Sequence, residues 1–268
     1  MAKKEPIVEE KSSKVLLGVP TNSVKSYCLG KFIKNLKSID LKDCDIVFCD
    51  DTDDDDEYRM IIESMGFTVL KSTKTIKDVH SGISVPISQA LANTRNTIRE
   101  YFLKHSEYSH LMAFDSDIIM PKNTIPQLLS HGKDIVTGVY FQLEQGGTSL
   151  YPVVFRYLEK ETAELGVHKF GAKMTIQELF PSRLIGGPDD EYRIAALGTG
   201  CVLISRKVLE DVRWSFRYDE KKVNTTEDMW WSLDMRGLGY EIYLDTSVVN
   251  RHHMKSWTTD EKLRPGKK

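Results

Sequence analysis

Two aspartates one residue apart, Asp115 and Asp117, interrupt the apolar stretch "LMAFDSDIIMP" at residues 111–121. In an extended backbone alternate side chains leave on the same side, so the two carboxylates face one way. Left unpaired in apolar surroundings they are costly. Either the strand ends in water there or a cation sits between them. Oxygen donors of this kind suit Mg²⁺ or Mn²⁺, above all when phosphate oxygens complete the shell. A solvated turn explains an isolated Asp-x-Asp as well, and the flanking apolar strand is what favours the ion.

Two further groups lie near the end of the chain. In "TTEDMWW", Thr226 fits the cap of a helix whose first turn carries Glu227 and Asp228, where negative charge is locally favoured. Beside a cleft, a carboxylate at that position is equipped to take a proton from an acceptor hydroxyl. Trp230 and Trp231 offer large surfaces for core packing or for covering a sugar ring, and one is expected in each role. His252 and His253 follow, and neutral histidine is a normal ligand for first-row divalent ions.

The elements that must position these groups follow a strand–helix rhythm. Apolar patterning predicts strands over "KVLLGVP", "CDIVFC", "FTVLKS" and "SHLMAFD". Helices are predicted from about Tyr27 to Leu36 and over "EYRMIIESMG" and "SQALANTRNTIREYFLKHS", the second stopped by Gly66. This alternation is that of an α/β domain with a largely parallel sheet, which presents ligands at the carboxyl ends of its strands. After the aspartates come a short helix, "NTIPQLLSHG", and a strand, "KDIVTGVYF". Residues 144–193 are read as strands and loops of an inserted, acceptor-facing region. "AALGTGCVLISRKVLEDV" then gives a strand and helix, "EDMWWSLDMRGLG" a helix, and "YEIYLDTSVVNRHH" a late strand and loop. The expected organisation is a mobile tail over 1–13, one domain over 14–254 and a polar tail over 255–268.

Composition bounds the function. The 268 residues are 40% hydrophobic and 28% charged, with a net charge of -2, which gives no general footprint for nucleic acid. The four cysteines show no Cys-x-x-Cys pairing, and a reduced, cytoplasmic protein is the simpler reading. No apolar run approaches the roughly 20 residues that span a bilayer. Lys255, Lys262, Arg264, Lys267, Lys268 and Trp257 equip the tail for peripheral contact with an anionic membrane, a field that Asp260 and Glu261 weaken. "GVPTNSVKSY" is not a complete P-loop, "HSGIS" is not a nucleophile elbow, and Cys28 has no readable catalytic histidine.

Taken in order, these pieces resemble the GT-A fold glycosyltransferases, close to the family 2 inverting type, over roughly Lys14 to His253. "GVPT" resembles the first nucleotide-binding strand end, with Pro20 and Thr21. "VFCDD" resembles the base-contacting segment, with Asp50 and Asp51, of which Asp51 is the better candidate. "NTRNTI" resembles the arginine segment, with Arg95 as a phosphate or sugar contact, and "FDSD" resembles the DxD motif. The resemblance implies Asp117 as main metal ligand and Asp115 as a contact to ribose or the metal's water shell, with Ser116 between them. It implies His252 as the late metal histidine, seven residues after Asp245, with His253 as the fallback. It also implies Asp228 as base, with Glu227 orienting the site or capping its helix. Gly198 and Gly200 resemble the acceptor-side glycine turn, which a plain tight turn explains equally. The acid run from Asp53 to Glu57 extends beyond the family's short element and is read as a solvated loop.

The expected activity is metal-dependent transfer of a sugar from a nucleotide diphosphate sugar, UDP favoured over GDP, to a glycan, glycolipid or other hydroxyl acceptor, with inversion. The alternatives are a sugar-phosphate nucleotidyltransferase and a non-catalytic nucleotide-sugar or glycan-binding protein. The late acidic segment and histidine favour the transferase.

Overall fold

A computed structural model describes residues 14–52, 56–72, 84–143, 149–157, 171–217 and 226–253. The first half alternates as its patterning requires. Strand β1 (Lys14–Thr21) leads through a short 3-10 turn into helix α1 (Ser26–Leu36), and β2 (Cys44–Asp50) into α2 (Asp56–Ser64) and β3 (Thr68–Lys71). Helix α3 (Ser84–Lys104) then precedes β4 (Tyr108–Phe114). This helix starts four residues before the predicted Ser88, with Pro86 in its first turn, where a missing N–H costs no intrahelical bond.

After a two-residue strand β5 (Ile118–Ile119) come α4 (Thr124–Ser130) and β6 (Ile135–Val139). The region read as inserted contributes short pieces: β7 (Phe141–Leu143), β8 (Leu150–Pro152), β9 (Val154–Arg156), β10 (Ala172–Lys173) and β11 (Leu184–Gly186). The remainder is β12 (Ile194–Leu197), β13 (Cys201–Ser205), α5 (Arg206–Asp211), α6 (Glu227–Gly237), β14 (Tyr243–Val249) and β15 (Arg251–His252).

Eight strands form the central sheet in the order β11-β14-β6-β13-β4-β1-β2-β3. β1, β2, β3 and β4 are parallel, as are β6 and β14, while β13 runs antiparallel between β4 and β6. The reversal brings the start of β13 beside the end of β4, with Cys201 opposite Phe114. β11 extends the sheet edge by antiparallel pairing with β14, so part of the 144–193 region belongs to the main sheet. β10, β9 and β12 make a separate three-stranded sheet, and β7 pairs β8.

Helices cover both faces, which is why the parallel strands read as near-continuous apolar runs. Side chains alternate: Val15, Leu17 and Val19 pack with Phe32 and Phe48 on one face, and Leu16 packs with Ile98 and Phe102 on the other. Phe32 is fully buried, and truncating it to Ala costs about 3–5 kcal/mol. Gly18 allows α3 to lie close on β1, since a Cβ there would meet Ile98 Cγ2 at 2.5 Å. Among the described residues, no helix is long and apolar enough to cross a membrane.

Candidate functional site

A cleft of about 340 Å³ opens where β1, β2 and β4 end, lined by Pro20, Thr21, Asn22, Lys25, Asp51, Ile87, Ala90, Leu91, Thr94, Asp115, Ser116 and Asp117. Parallel strands pointing the same way bring these ends together. Pro20, Thr21, Asp51, Asp115, Ser116 and Asp117 therefore share one wall system. Asp50 does not. It is fully buried, with Oδ1 accepting from Thr52 N at 3.0 Å and Thr52 Oγ1 at 2.6 Å. The expectation that it contacts a base is corrected: strand alternation turns it inward, and Asp51 faces the cleft.

Asp117 is brought to His252 by a backbone device. β15 pairs antiparallel with β5, with His252 opposite Ile118, and His253 N donates to Asp117 O at 2.6 Å. His252 Nε2 then stands 3.4 Å from Asp117 Oδ2, while Nδ1 lies 3.2 Å from Phe141 O. A carbonyl only accepts, so Nδ1 carries the proton. A neutral ring in that tautomer sets acceptor against acceptor, and the pair needs either a proton on Nε2 or a shared cation. Two ligands at right angles, about 2.1 Å from one small divalent ion, lie roughly 3.0 Å apart, close to this spacing. The Phe141 carbonyl orients the ring as outer contacts of metal histidines do. Among the described residues, no three His, Cys, Asp or Glu side chains are grouped to hold a metal. The donor set suits an ion whose shell is completed by phosphate and water.

The Lys25 ammonium also donates to Asp117 Oδ2. Burial pushes the Asp117 carboxyl up, but His252 and Lys25 outweigh it and hold the group down at about 2. His253, the fallback ligand, packs elsewhere. It is 2% exposed, stacks on Tyr27 at 6.0 Å, and its Nε2 lies 3.3 Å from Lys31 Nζ.

Asp115 is held from behind. Arg95 NH2 donates to its Oδ1 at 2.9 Å, Arg95 Nε to Glu227 Oε1 at 3.4 Å and Arg95 NH1 to Thr199 O at 3.3 Å. The Arg95 guanidinium is thus 4% exposed and spent on protein partners. Its expected direct contact with phosphate or sugar is corrected to a clamp between the DxD turn and the start of α6. Burial and the neighbouring Asp228 charge push the Glu227 carboxyl up to about 8, against the pull of Arg95. Asp228 is also raised, by burial first, opposed by its hydrogen bond from Thr226 and the Arg95 charge. Thr226 stands at the N-cap position, but its hydroxyl donates to the Asp228 carboxylate, not to the helix backbone. Asp228 Oδ1 also accepts from Met229 N at 2.9 Å.

Three acceptor-side expectations change. Trp231 is fully buried and stacks on Trp214 at 5.0 Å with an interplanar angle of 6°, so it is core. Trp230 is buried too, packed with Ala196 and Met229. Among the described residues, neither Trp230 nor Trp231 is exposed to cover a sugar. Gly198 and Gly200 do permit close approach, but by protein: a Cβ on Gly198 would lie 2.0 Å from Tyr140 Oη, and one on Gly200 3.0 Å from Asp115 Oδ2. Gly200 O also accepts from Asp115 N at 2.9 Å.

Sequence reasoning missed Lys25 and Tyr140. Tyr140 lies edge-on to His252, with ring centroids 5.7 Å apart, and burial raises its pKa well above the ordinary value. The available signal for Lys25 was its place just beyond the first parallel strand, where ligand contacts gather. The tails, Asp53, Asp54 and Asp55, and the tail groups read for membrane contact lie outside the described residues. Asp56 and Glu57 open α2 instead of continuing a loop.

No protein-family model matches the sequence, and comparison with curated proteins finds no match. Solved structures do match. The crystal structure of GalNAc-T7 with UDP, GalNAc and Mn²⁺ aligns with TM-score 0.54 and 13% identity, over 93% of this chain and 46% of that one. A197 from STIV aligns at 0.45 and 14%, over 90% and 86%, and TarS 1-349 of S. aureus at 0.44 and 13%, over 89% and 60%. The chain spans about half of the GalNAc-T7 structure. The fold of this chain is GT-A.

Proposed function

We propose that the protein transfers a sugar from a nucleotide diphosphate sugar to a hydroxyl acceptor, a glycan, glycolipid or similar molecule. The observation that carries this is what stands behind two cleft-lining aspartates: Asp117 pairs with His252, and Arg95 joins Asp115 to Glu227 at the start of α6. The GT-A fold supports it, as does a cleft lined by the ends of the first, second and fourth strands.

Pro20, Thr21 and Asp51 receive the nucleoside. Asp51 accepts a hydrogen bond from the base, with uridine favoured over guanosine. Asp117 and His252 are the residues that would hold Mn²⁺ or Mg²⁺, whose chemistry is to balance charge on the diphosphate. Asp228 is the base: it is partly exposed, whereas Glu227 is 2% exposed and tied to Arg95. It takes the acceptor hydroxyl's proton as the oxygen bonds to the anomeric carbon and the bond to the diphosphate oxygen breaks. One displacement inverts the anomeric configuration. Arg95 orients Asp115 and Glu227 from behind. A nucleotide-sugar donor suits a cytoplasmic reaction.

The test is a titration of UDP and GDP with and without Mn²⁺, followed by a screen of sugar conjugates of the tighter nucleotide for transfer and product anomer. Mn²⁺-dependent binding that Asp117→Ala and His252→Ala each weaken, without loss of fold, is expected. Normal metal titrations in both variants would remove the ligand assignment. Retained configuration in the product would remove the single displacement, and absence of nucleotide binding would remove the donor site.

A further inference from the structure

The Lys25–Asp117 pair has a meaning of its own for how this site fills, resting on the donor-site reading above. Asp117 is 3% exposed, and a carboxylate so enclosed is costly without a counter-charge. Lys25 supplies it: the ammonium donates to the oxygen, Oδ2, that faces His252 Nε2. Position and reach differ between the two partners. The Lys25 side chain is 36% exposed and lines the cleft, on a 3-10 turn over Ser23–Lys25 whose backbone is fixed independently. Asn22 Oδ1 accepts from Val24 N at 3.1 Å, and Thr52 Oγ1 accepts from Ser23 N at 2.9 Å. The turn is anchored while the four-carbon stem remains long and flexible.

We propose that Lys25 is a resident counter-cation, which a divalent ion must displace from Asp117 and which the nucleoside diphosphate then receives. A doubly charged ion at Asp117 Oδ2 and an ammonium on the same oxygen repel each other, so the ammonium must leave. The anion that compensates it within the same cleft is the diphosphate. Metal and nucleotide therefore bind with positive coupling, each strengthening the other by the same factor, in the range of roughly 5- to 150-fold usual for linked sites. Lys25 is a positioning residue in this scheme and takes no proton in the reaction.

The experiment is a Mn²⁺ titration of the full chain, read by the electron paramagnetic resonance signal of free Mn²⁺, with no nucleotide and with saturating UDP. Wild type binds Mn²⁺ weakly alone and about tenfold or more tightly with UDP. Lys25→Gln binds Mn²⁺ alone about tenfold more tightly than wild type, and its UDP enhancement shrinks by at least that factor, leaving the part that phosphate coordination supplies. Lys25→Met, which keeps the apolar stem, behaves the same way, and Lys25→Arg keeps the wild-type coupling. In the reciprocal arm, UDP binds more weakly to Lys25→Gln than to wild type when no metal is present. A folded Gln or Met variant whose Mn²⁺ affinity without nucleotide equals or falls below that of wild type overturns the proposal. The nucleotide-free arm reads Lys25 alone, so failure of UDP binding in wild type counts against the donor site and leaves that comparison standing.

Discussion

Removing the Arg95 guanidinium should be among the most damaging single changes available to this protein. Arg95→Met leaves Glu227, 2% exposed, without its cation and releases Asp115 from the only Arg–carboxylate bond recorded for it among the described residues. Above about pH 8, where the Glu227 carboxyl is ionised, breaking this buried pair by deleting one partner costs about 3–5 kcal/mol, because the carboxylate left behind is buried and unpaired. Against a total stability of about 5–15 kcal/mol this is severe. At roughly 2–4 °C per kcal/mol for chains of this size, the melting temperature falls by about 6–20 °C. Measured at about pH 9, where wild-type Glu227 is ionised, much of that cost is the Glu227 carboxylate, which must stay buried without its cation or take up a proton, so Arg95→Met/Glu227→Gln should be more stable there than Arg95→Met alone, with a coupling of about 1–3 kcal/mol. Urea unfolding of wild type, both single variants and the double variant closes the cycle. A loss under about 1 kcal/mol in Arg95→Met, or a double variant no better than that single one, would refute the clamp.

Four shorter expectations follow from the same site. Glu227 is raised from its ordinary 4.5 to about 8, so between these values the folded state holds a proton that the unfolded chain has lost, and its contribution to stability falls as pH rises. Glu227→Gln should therefore gain on wild type by up to about 1.4 kcal/mol per pH unit from pH 5 to 8, read by denaturant unfolding at each pH; a pH-independent difference would contradict the assigned shift. Gly198→Ala sets a Cβ 2.0 Å from Tyr140 Oη and should cost about 1–3 kcal/mol, and Tyr140→Phe should restore part of it in thermal melts by removing that oxygen. Asp228→Asn should leave nucleotide binding intact and lower the transfer rate by about 10²-fold or more, so equal rates would exclude it as base. Asp51→Ala should weaken nucleotide binding with little loss of stability, whereas Asp50→Ala should lower the melting temperature through the lost Thr52 bonds, and the reverse pattern would overturn the assignment of the cleft-facing acid.

The residues that gather around the strand-end cleft were legible as candidates because their signals are local. A strand that ends in Asp-x-Asp, a helix that opens with Glu–Asp and a late histidine are each read from a few adjacent residues. So was the strand–helix rhythm, since β1, β2 and β4 are apolar runs buried on both faces. What escaped depends on partners far apart in the chain. Arg95 and Glu227 are separated by 132 positions, so nothing beside Arg95 reveals that its charge is already committed. The pairing of Trp231 with Trp214 is equally invisible to helical periodicity, which says that a face is apolar without saying what meets it. Lys25 looked like any lysine on a polar turn until a buried carboxylate was found at its tip. The strands from β7 to β12 are two to four residues long, too short for a period of two to register. Alternation separates Asp50 from Asp51, but on a strand buried on both faces it does not say which of them meets the cleft.

The pairing of β15 with β5 also sets the order in which the protein can come into being. Residues 14–143 supply the cleft walls and the Asp-x-Asp turn, whereas His252 belongs to the last described strand and docks on Ile118 only after β13, α6 and β14 have been laid down. Closing such a distant contact carries loop entropy that earlier pairings must already have offset. During synthesis from the amino terminus, the nascent chain carries the residues that line the cleft long before it carries the histidine facing Asp117. Assembly of the Asp117–His252 pair thus reports a finished fold: a chain interrupted before residue 252 lacks the pair.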